Sequence, residues 1–85
     1  MEKKYICRCC GLRTLEQDNT KNGKYEVCPV CAWEDDWDSK MTPKDFSASN
    51  GLTLAEGKKN FKDFGACERE QLENVRKPKK EELTK

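Results

Sequence analysis

Two C-x2-C hooks dominate the sequence: Cys7 and Cys10 within CRCCG (7–11), and Cys28 and Cys31 within CPVC (28–31), with residues 11–27 between them. Each hook places two thiols on a tight turn. The insert is long enough for a hairpin to bring the turns face to face, and four thiolates in that spacing close around one tetrahedral metal ion. No other feature of the chain limits its possible folds so strongly.

Composition shows why such a device is needed. Eighty-five residues allow one small domain. Only 13 of them are Leu, Ile, Val or Phe, about 15%, below the roughly 20% under which disorder becomes a serious reading. Disorder also expects a large net charge, and 17 basic against 16 acidic residues leave only +1. A core-poor but charge-balanced chain calls for a staple, and structural zinc contributes on the order of 10–16 kcal/mol in small modules. Six cysteines also suit a disulfide scaffold. Against disulfides, no apolar run separates Met1 from Cys7, and no stretch approaches the roughly 18 apolar residues that span a bilayer. The expected setting is a reducing cytoplasm, where paired hooks read as metal ligands.

The expected fold is a small metal-stabilised α+β domain: a zinc-ribbon or rubredoxin-like two-knuckle β-hairpin followed by one or two helices. Residues 4–6 enter the first hook as a short strand and residues 12–14 leave it. Asn22-Gly23 marks a hairpin turn, after which residues 24–27 alternate as a strand into the second hook. Gly11 supplies a positive-φ residue behind the first cysteine pair, and Pro29 stiffens the second hook. Residues 38–52 read as irregular. A helix begins at the N-cap Thr53, with Glu56 completing a capping box, presents Leu54, Gly57, Phe61 and Phe64 on one face, and stops at Gly65. Residues 68–76 suggest a second short helix with Leu72 and Val75 turned inward. One domain thus spans residues 1–78, and residues 79–85 read as a mobile charged tail.

The metal ligands expected are Cys7, Cys10, Cys28 and Cys31, holding one Zn²⁺ in a closed site with a charge of about −2 and no open position for substrate. Lys4, Arg8 and Arg13 are the nearby cations in sequence. Iron, held in the rubredoxin manner, is the less favoured ion. Cys9 and Cys67 are left over as structural or redox-sensitive thiols; as a small hydrophobe, Cys67 is expected to be buried. Directly behind the second hook stand Trp33, Glu34, Asp35, Asp36, Trp37 and Asp38. One indole has a place in the core. Two indoles with four acids exceed that need and suggest a contact surface for a basic partner. A hard-cation site from Asp35, Asp36 and Asp38 lacks the loop spacing and the Gly turn that such sites use.

The chain also resembles the small bacterial cysteine-rich CPCC domain family, through CRCCGLRTL (7–15), YEVCPVCAWEDD (25–36), NGLTLAEGKKNFKDFGACE (50–68) and VRKP (75–78). In this sequence Arg8 replaces the proline that gives the family its name, which implies a slightly looser first hook. Ala32 stands where the family tends to place an aromatic residue, which implies thinner packing beside the second hook. The resemblance implies a zinc-ribbon-like protein without a settled biochemical activity, and it brings Cys67 into the family signature as a structural residue.

Catalysis has little support: there is no His, no nucleophile motif and no phosphate-cradling loop. The functional expectation is a non-catalytic zinc-binding module that contacts an unidentified protein through residues 33–38. The alternatives are a nucleic-acid-binding ribbon, weakened by the net charge of only +1, and a rubredoxin-like or redox-sensing metal–thiolate protein.

Overall fold

The computed structural model describes residues 5–83; Lys4 lies outside them. Strand β1 (Tyr5–Ile6) pairs antiparallel with β2 (Arg13–Leu15), Tyr5 opposite Leu15 and Ile6 opposite Arg13, with an irregularity between the two pairs. The first hook is the turn that joins them. Residues 23–27 run antiparallel to residues 33–37 around the second hook. Here the N–H groups of Gly23, Tyr25, Cys28 and Asp35 donate to Trp37, Asp35, Trp33 and Glu26 at 2.7–3.0 Å. Each hook therefore sits at the tip of its own hairpin.

This corrects two expectations. Residues 24–27 do not form a regular strand: the only bridge there joins Val27 to Glu34, because Tyr25 takes a left-handed φ of 61° and breaks the pleat. Nor does Gly23 make a tight turn back onto the first hook. A Cβ at Gly23 would lie 2.0 Å from the Asp35 carbonyl oxygen and 2.8 Å from the Trp37 nitrogen, so glycine is what lets residues 23 and 35–37 lie side by side. The two hairpins are linked instead through Glu26, whose carboxylate accepts the N–H groups of Glu16 and Gln17 at 2.9–3.0 Å.

The stretch read as irregular contains a second small sheet, β3 (Phe46–Ser47) against β4 (Leu52–Thr53). Its turn is fastened to the second knuckle by side chains. Asn50 accepts from the Glu34 N–H at 2.9 Å and donates to the Glu34 carbonyl at 2.8 Å, in the way a paired strand residue would. Ser47 donates its hydroxyl to Asp36 at 2.7 Å.

Helix α1 (Leu54–Phe64) follows β4 directly, with the anticipated capping box between Thr53 and Glu56 and with Gly65 at φ 95° closing its C-terminus. Leu54 and Gly57 are buried, and Phe61 and Phe64 are half-buried. Gly57 is the closest point of approach, since a Cβ there would stand 2.9 Å from the Trp33 ring and 3.3 Å from the Cys9 sulfur. Beyond Gly65, the Cys67 N–H pairs with the Cys31 carbonyl at 2.8 Å, which ties the chain to the back of the second hook. The second helix is a 3₁₀ segment, Arg69–Asn74, without a side-chain N-cap. Its Leu72 is 42% exposed rather than inward; Val75 alone of the expected pair packs against the core.

The charged tail is also corrected within the described residues. Lys80–Glu82 forms a 3₁₀ turn that packs on β2, and Glu82 is buried. Arg76 grips its carboxylate through two nitrogens at 2.9 and 2.6 Å, and the Lys79 N–H adds a third donor at 2.8 Å. A long charged residue can be buried when its charge is paired and hydrogen-bonded. The radius of gyration, 11.8 Å, matches the roughly 12 Å expected of a compact chain of this length. Among the described residues no helix is long and apolar enough to cross a membrane.

Two outcomes follow from this packing. Gly57→Ala gains helix propensity of about 1 kcal/mol, yet the new methyl meets the Trp33 ring; urea denaturation is expected to show net destabilisation of about 1–3 kcal/mol. For Glu82, Arg76 first, with the Lys79 N–H helping, holds the carboxyl at about 2, below its ordinary value. The sign follows: this pair's stabilisation is fully present above pH ~4.5 and is lost as pH falls towards 2. Thermal melts of Glu82→Gln should therefore converge with those of the parent protein in acid and lie below them at neutral pH.

Candidate metal centre

The two hooks are the same small structure made twice. In the first, the Gly11 N–H bonds the Cys7 carbonyl at 2.8 Å and the Cys7 N–H bonds the Leu12 carbonyl at 2.9 Å. In the second, Ala32 and Cys28 repeat these bonds to Cys28 and Trp33 at the same distances. The residue after the second cysteine is left-handed in both, Gly11 at φ 76° and Ala32 at φ 69°. Gly11 meets this demand as the sequence suggested; Ala32 meets it at a cost of about 1–2 kcal/mol that a glycine would avoid.

The knuckles aim their thiols at one point. The sulfurs of Cys7, Cys10, Cys28 and Cys31 all lie within 4.8 Å of one another, with Cys7 to Cys31 at 3.6 Å and Cys10 to Cys28 at 3.8 Å. A tetrahedron with metal–sulfur bonds of about 2.3 Å has edges of about 3.8 Å, so two edges are already at their final length. The donor set fits: four soft sulfurs in tetrahedral disposition suit zinc or iron. All four expected ligands are thus brought together.

Electrostatics favour a cation at the centre. Cys28 is pushed strongly down by hydrogen bonds from Cys10, Cys31 and Cys7, while Cys7 is pushed up, chiefly through Cys10 and Cys28, and Cys10 through Cys28 and Cys31. Sulfurs this close oppose one another's ionisation, and a positive ion at the centre would relieve that opposition.

The other two cysteines join the same core. Cys9 and Cys67 are buried with Cys7, Cys28 and Cys31, so five of the eleven buried apolar residues among those described are cysteines. Burial first, then the neighbouring Cys9, pushes the Cys67 thiol up to about 12, which keeps it protonated at neutral pH. This supports the structural role for Cys67.

The tryptophan-acid segment divides between interior and surface. Trp33, 1% exposed, is the largest fully buried side chain and lies against Gly57 and Cys9. Asp35, also 1% exposed, accepts two contacts from Arg8 at 3.1 and 3.3 Å and one from the Asn19 amide at 3.0 Å. These two positions are therefore withdrawn from the expected contact surface. Glu34, Asp36 and Trp37 are half-buried and Asp38 is exposed. No three of the acids gather into a metal-binding group among the described residues.

Arg8 is equally committed. Besides Asp35 it donates to the Asn19 carbonyl and lies 4.9 Å from the centre of the Trp37 ring. Asn19 completes the link by donating to the Ile6 carbonyl at 2.9 Å. The residue that replaces the expected proline thus bolts the first knuckle to the second, and its charge neutralises Asp35 rather than the thiolates. Direct support for a thiolate comes from Thr14, whose hydroxyl is 3.0 Å from the Cys28 sulfur, and from the Val30 N–H at 3.4 Å. Thr14, Asn19 and Asn50 were not readable in advance, because each acts on a residue 14 to 16 positions away.

Fold and site together define a small α+β protein in which two knuckles and a capped helix enclose a four-cysteine cluster of metal-binding geometry. The chain belongs to the cysteine-rich CPCC family, whose model matches residues 5–82. Searches of curated proteins and of solved structures give no match. The family match runs through Glu82, the residue that pins the C-terminal turn.

The Arg8–Asp35 bolt gives a direct test. Arg8→Met leaves a buried carboxylate with the Asn19 amide as its remaining partner, and denaturant titration is expected to show a loss of about 2–3 kcal/mol.

Proposed function

We propose that this protein is a non-catalytic, zinc-stabilised module of the zinc-ribbon kind, working in the cytoplasm by contacting a basic surface on a partner protein. The observation that carries the metal reading is the convergence of four sulfurs within 4.8 Å, two pairs of them at tetrahedral edge length. Zinc is preferred to iron because a closed site built into the core of a core-poor chain serves folding, for which a redox-inert ion suffices. The contact reading rests on the part of residues 33–38 that keeps solvent access: half-buried Glu34, Asp36 and Trp37, and exposed Asp38. Trp37 is stacked on Arg8 and so held in one orientation. Asp36 anchors β3 through Ser47, and β3 carries Phe46, which is 65% exposed. A fixed indole among carboxylates selects cationic surfaces with apolar character.

The nucleic-acid reading is weaker for the same reason. Arg8, Lys59 and Arg76 are paired with Asp35, Asp63 and Glu82, and phosphate binding needs unpaired cations in a stripe.

Native mass spectrometry of protein purified without added metal is expected to show one zinc per chain; iron with a visible charge-transfer band would overturn the ion assignment. The Trp37→Ala/Asp38→Lys variant should keep its zinc and lose capture of the partner from cell lysate, and unchanged capture would remove this surface from the proposal.

A further inference from the structure

We propose that Cys10 is a modification site: the ligand at which two-electron oxidants of the hydroperoxide class attack the metal-loaded protein and release its ion. The inference rests on the metal reading above and adds an inequality among the four ligands.

Access singles out Cys10 among the four, and electron density at sulfur sets it apart from Cys28. Cys7, Cys28 and Cys31 are completely enclosed, and Cys10 alone of the four reaches the surface. Cys28 is held by the Thr14 hydroxyl and the Val30 N–H, and donors of this kind withdraw charge from a thiolate and blunt its nucleophilicity. Among the described residues the hydrogen-bond partner of the Cys10 sulfur is another sulfur, that of Cys28 at 3.8 Å. The cation nearest in sequence, Arg8, is turned to Asp35 and Trp37. The exposed ligand is therefore also the unshielded one, the combination that makes a cysteine susceptible to oxidation.

The chemistry closes on the observed geometry. The Cys10 sulfur attacks the terminal oxygen of the hydroperoxide: an S–O bond forms, the O–O bond breaks, and the departing alkoxide takes a proton from solvent. Sulfur is oxidised by two electrons and the peroxide is reduced to alcohol; with hydrogen peroxide the product is water. The Cys28 thiolate, the sulfur at 3.8 Å, then attacks the sulfenic acid. An S–S bond forms, the S–O bond breaks, and hydroxide leaves to be protonated as water. The new disulfide removes one ligand from each knuckle at once. An ion left with Cys7 and Cys31 alone has lost half of its donors and leaves. Cys9 and Cys67, both buried, do not compete for the first oxidation.

The test uses the full zinc-loaded chain, hydrogen peroxide and a chromogenic zinc chelator, with samples trapped by N-ethylmaleimide and mapped by mass spectrometry. The expected result is a Cys10–Cys28 crosslink that grows in step with zinc release. Cys9→Ala and Cys67→Ala should leave the release rate unchanged. Oxidation of Cys9 or Cys67 ahead of zinc release, or zinc release with Cys10 still reduced, would overturn the proposal while leaving the metal reading intact. A chain that takes up no zinc is recognised before peroxide is added, and that result would overturn both.

Discussion

The convergence of four cysteine sulfurs within 4.8 Å of one another is the constraint on which the rest of this structure depends. Two hairpins, each too short to be stable alone, meet at that point. The Cys67 N–H and the Arg76 N–H both bond carbonyls of the second hook, at Cys31 and Pro29. A cation held by all four sulfurs would bind the two hooks together. The sulfurs that could hold a metal ion are also core, since cysteines are five of the eleven buried apolar residues among those described.

Around this centre the fold uses charge where larger proteins use hydrocarbon. Asp35 is buried and held by Arg8 and Asn19, and Glu82 is buried and held by Arg76. The first pair joins the two knuckles, and the second closes the C-terminal turn onto the segment that Arg76 ties to Pro29. Such pairs cost desolvation and return it only when every lone pair finds a donor. Their geometry here is nearly complete, which is how a chain with 39% charged residues reaches ordinary compactness. Apolar packing is concentrated where Trp33, Leu54 and Gly57 bring α1 against the cysteine core.

What was legible in the sequence was local. The hooks, the positive φ at Gly11 and the capped helix ending at Gly65 each depend on residues within a few positions of one another, and each appears where the pattern placed it. The misreadings came from tertiary demands. Residues 24–27 alternate like a strand but kink at Tyr25. Gly23 looks like a turn glycine, yet it is required by the backbone of residues 35–37. Residues 33–38 look like one exposed segment, but pairing with residues 23–27 buries Trp33 and Asp35, leaves Trp37 half-buried against the core, and exposes Asp38. The charge of residues 79–85 hides the packing of Glu82, because its partner Arg76 lies outside that stretch.

The most direct test of this account is removal of the metal from the intact chain, followed by circular dichroism and tryptophan fluorescence of a Trp37→Phe variant as a strong zinc chelator is added. If the cluster is the staple, far-ultraviolet helicity and the buried-indole signal collapse together, and both return on addition of one equivalent of zinc. Retention of the helix signal and of an unchanged melting temperature in excess chelator would contradict the account, because the fold would then be standing without the ion that is argued to hold it.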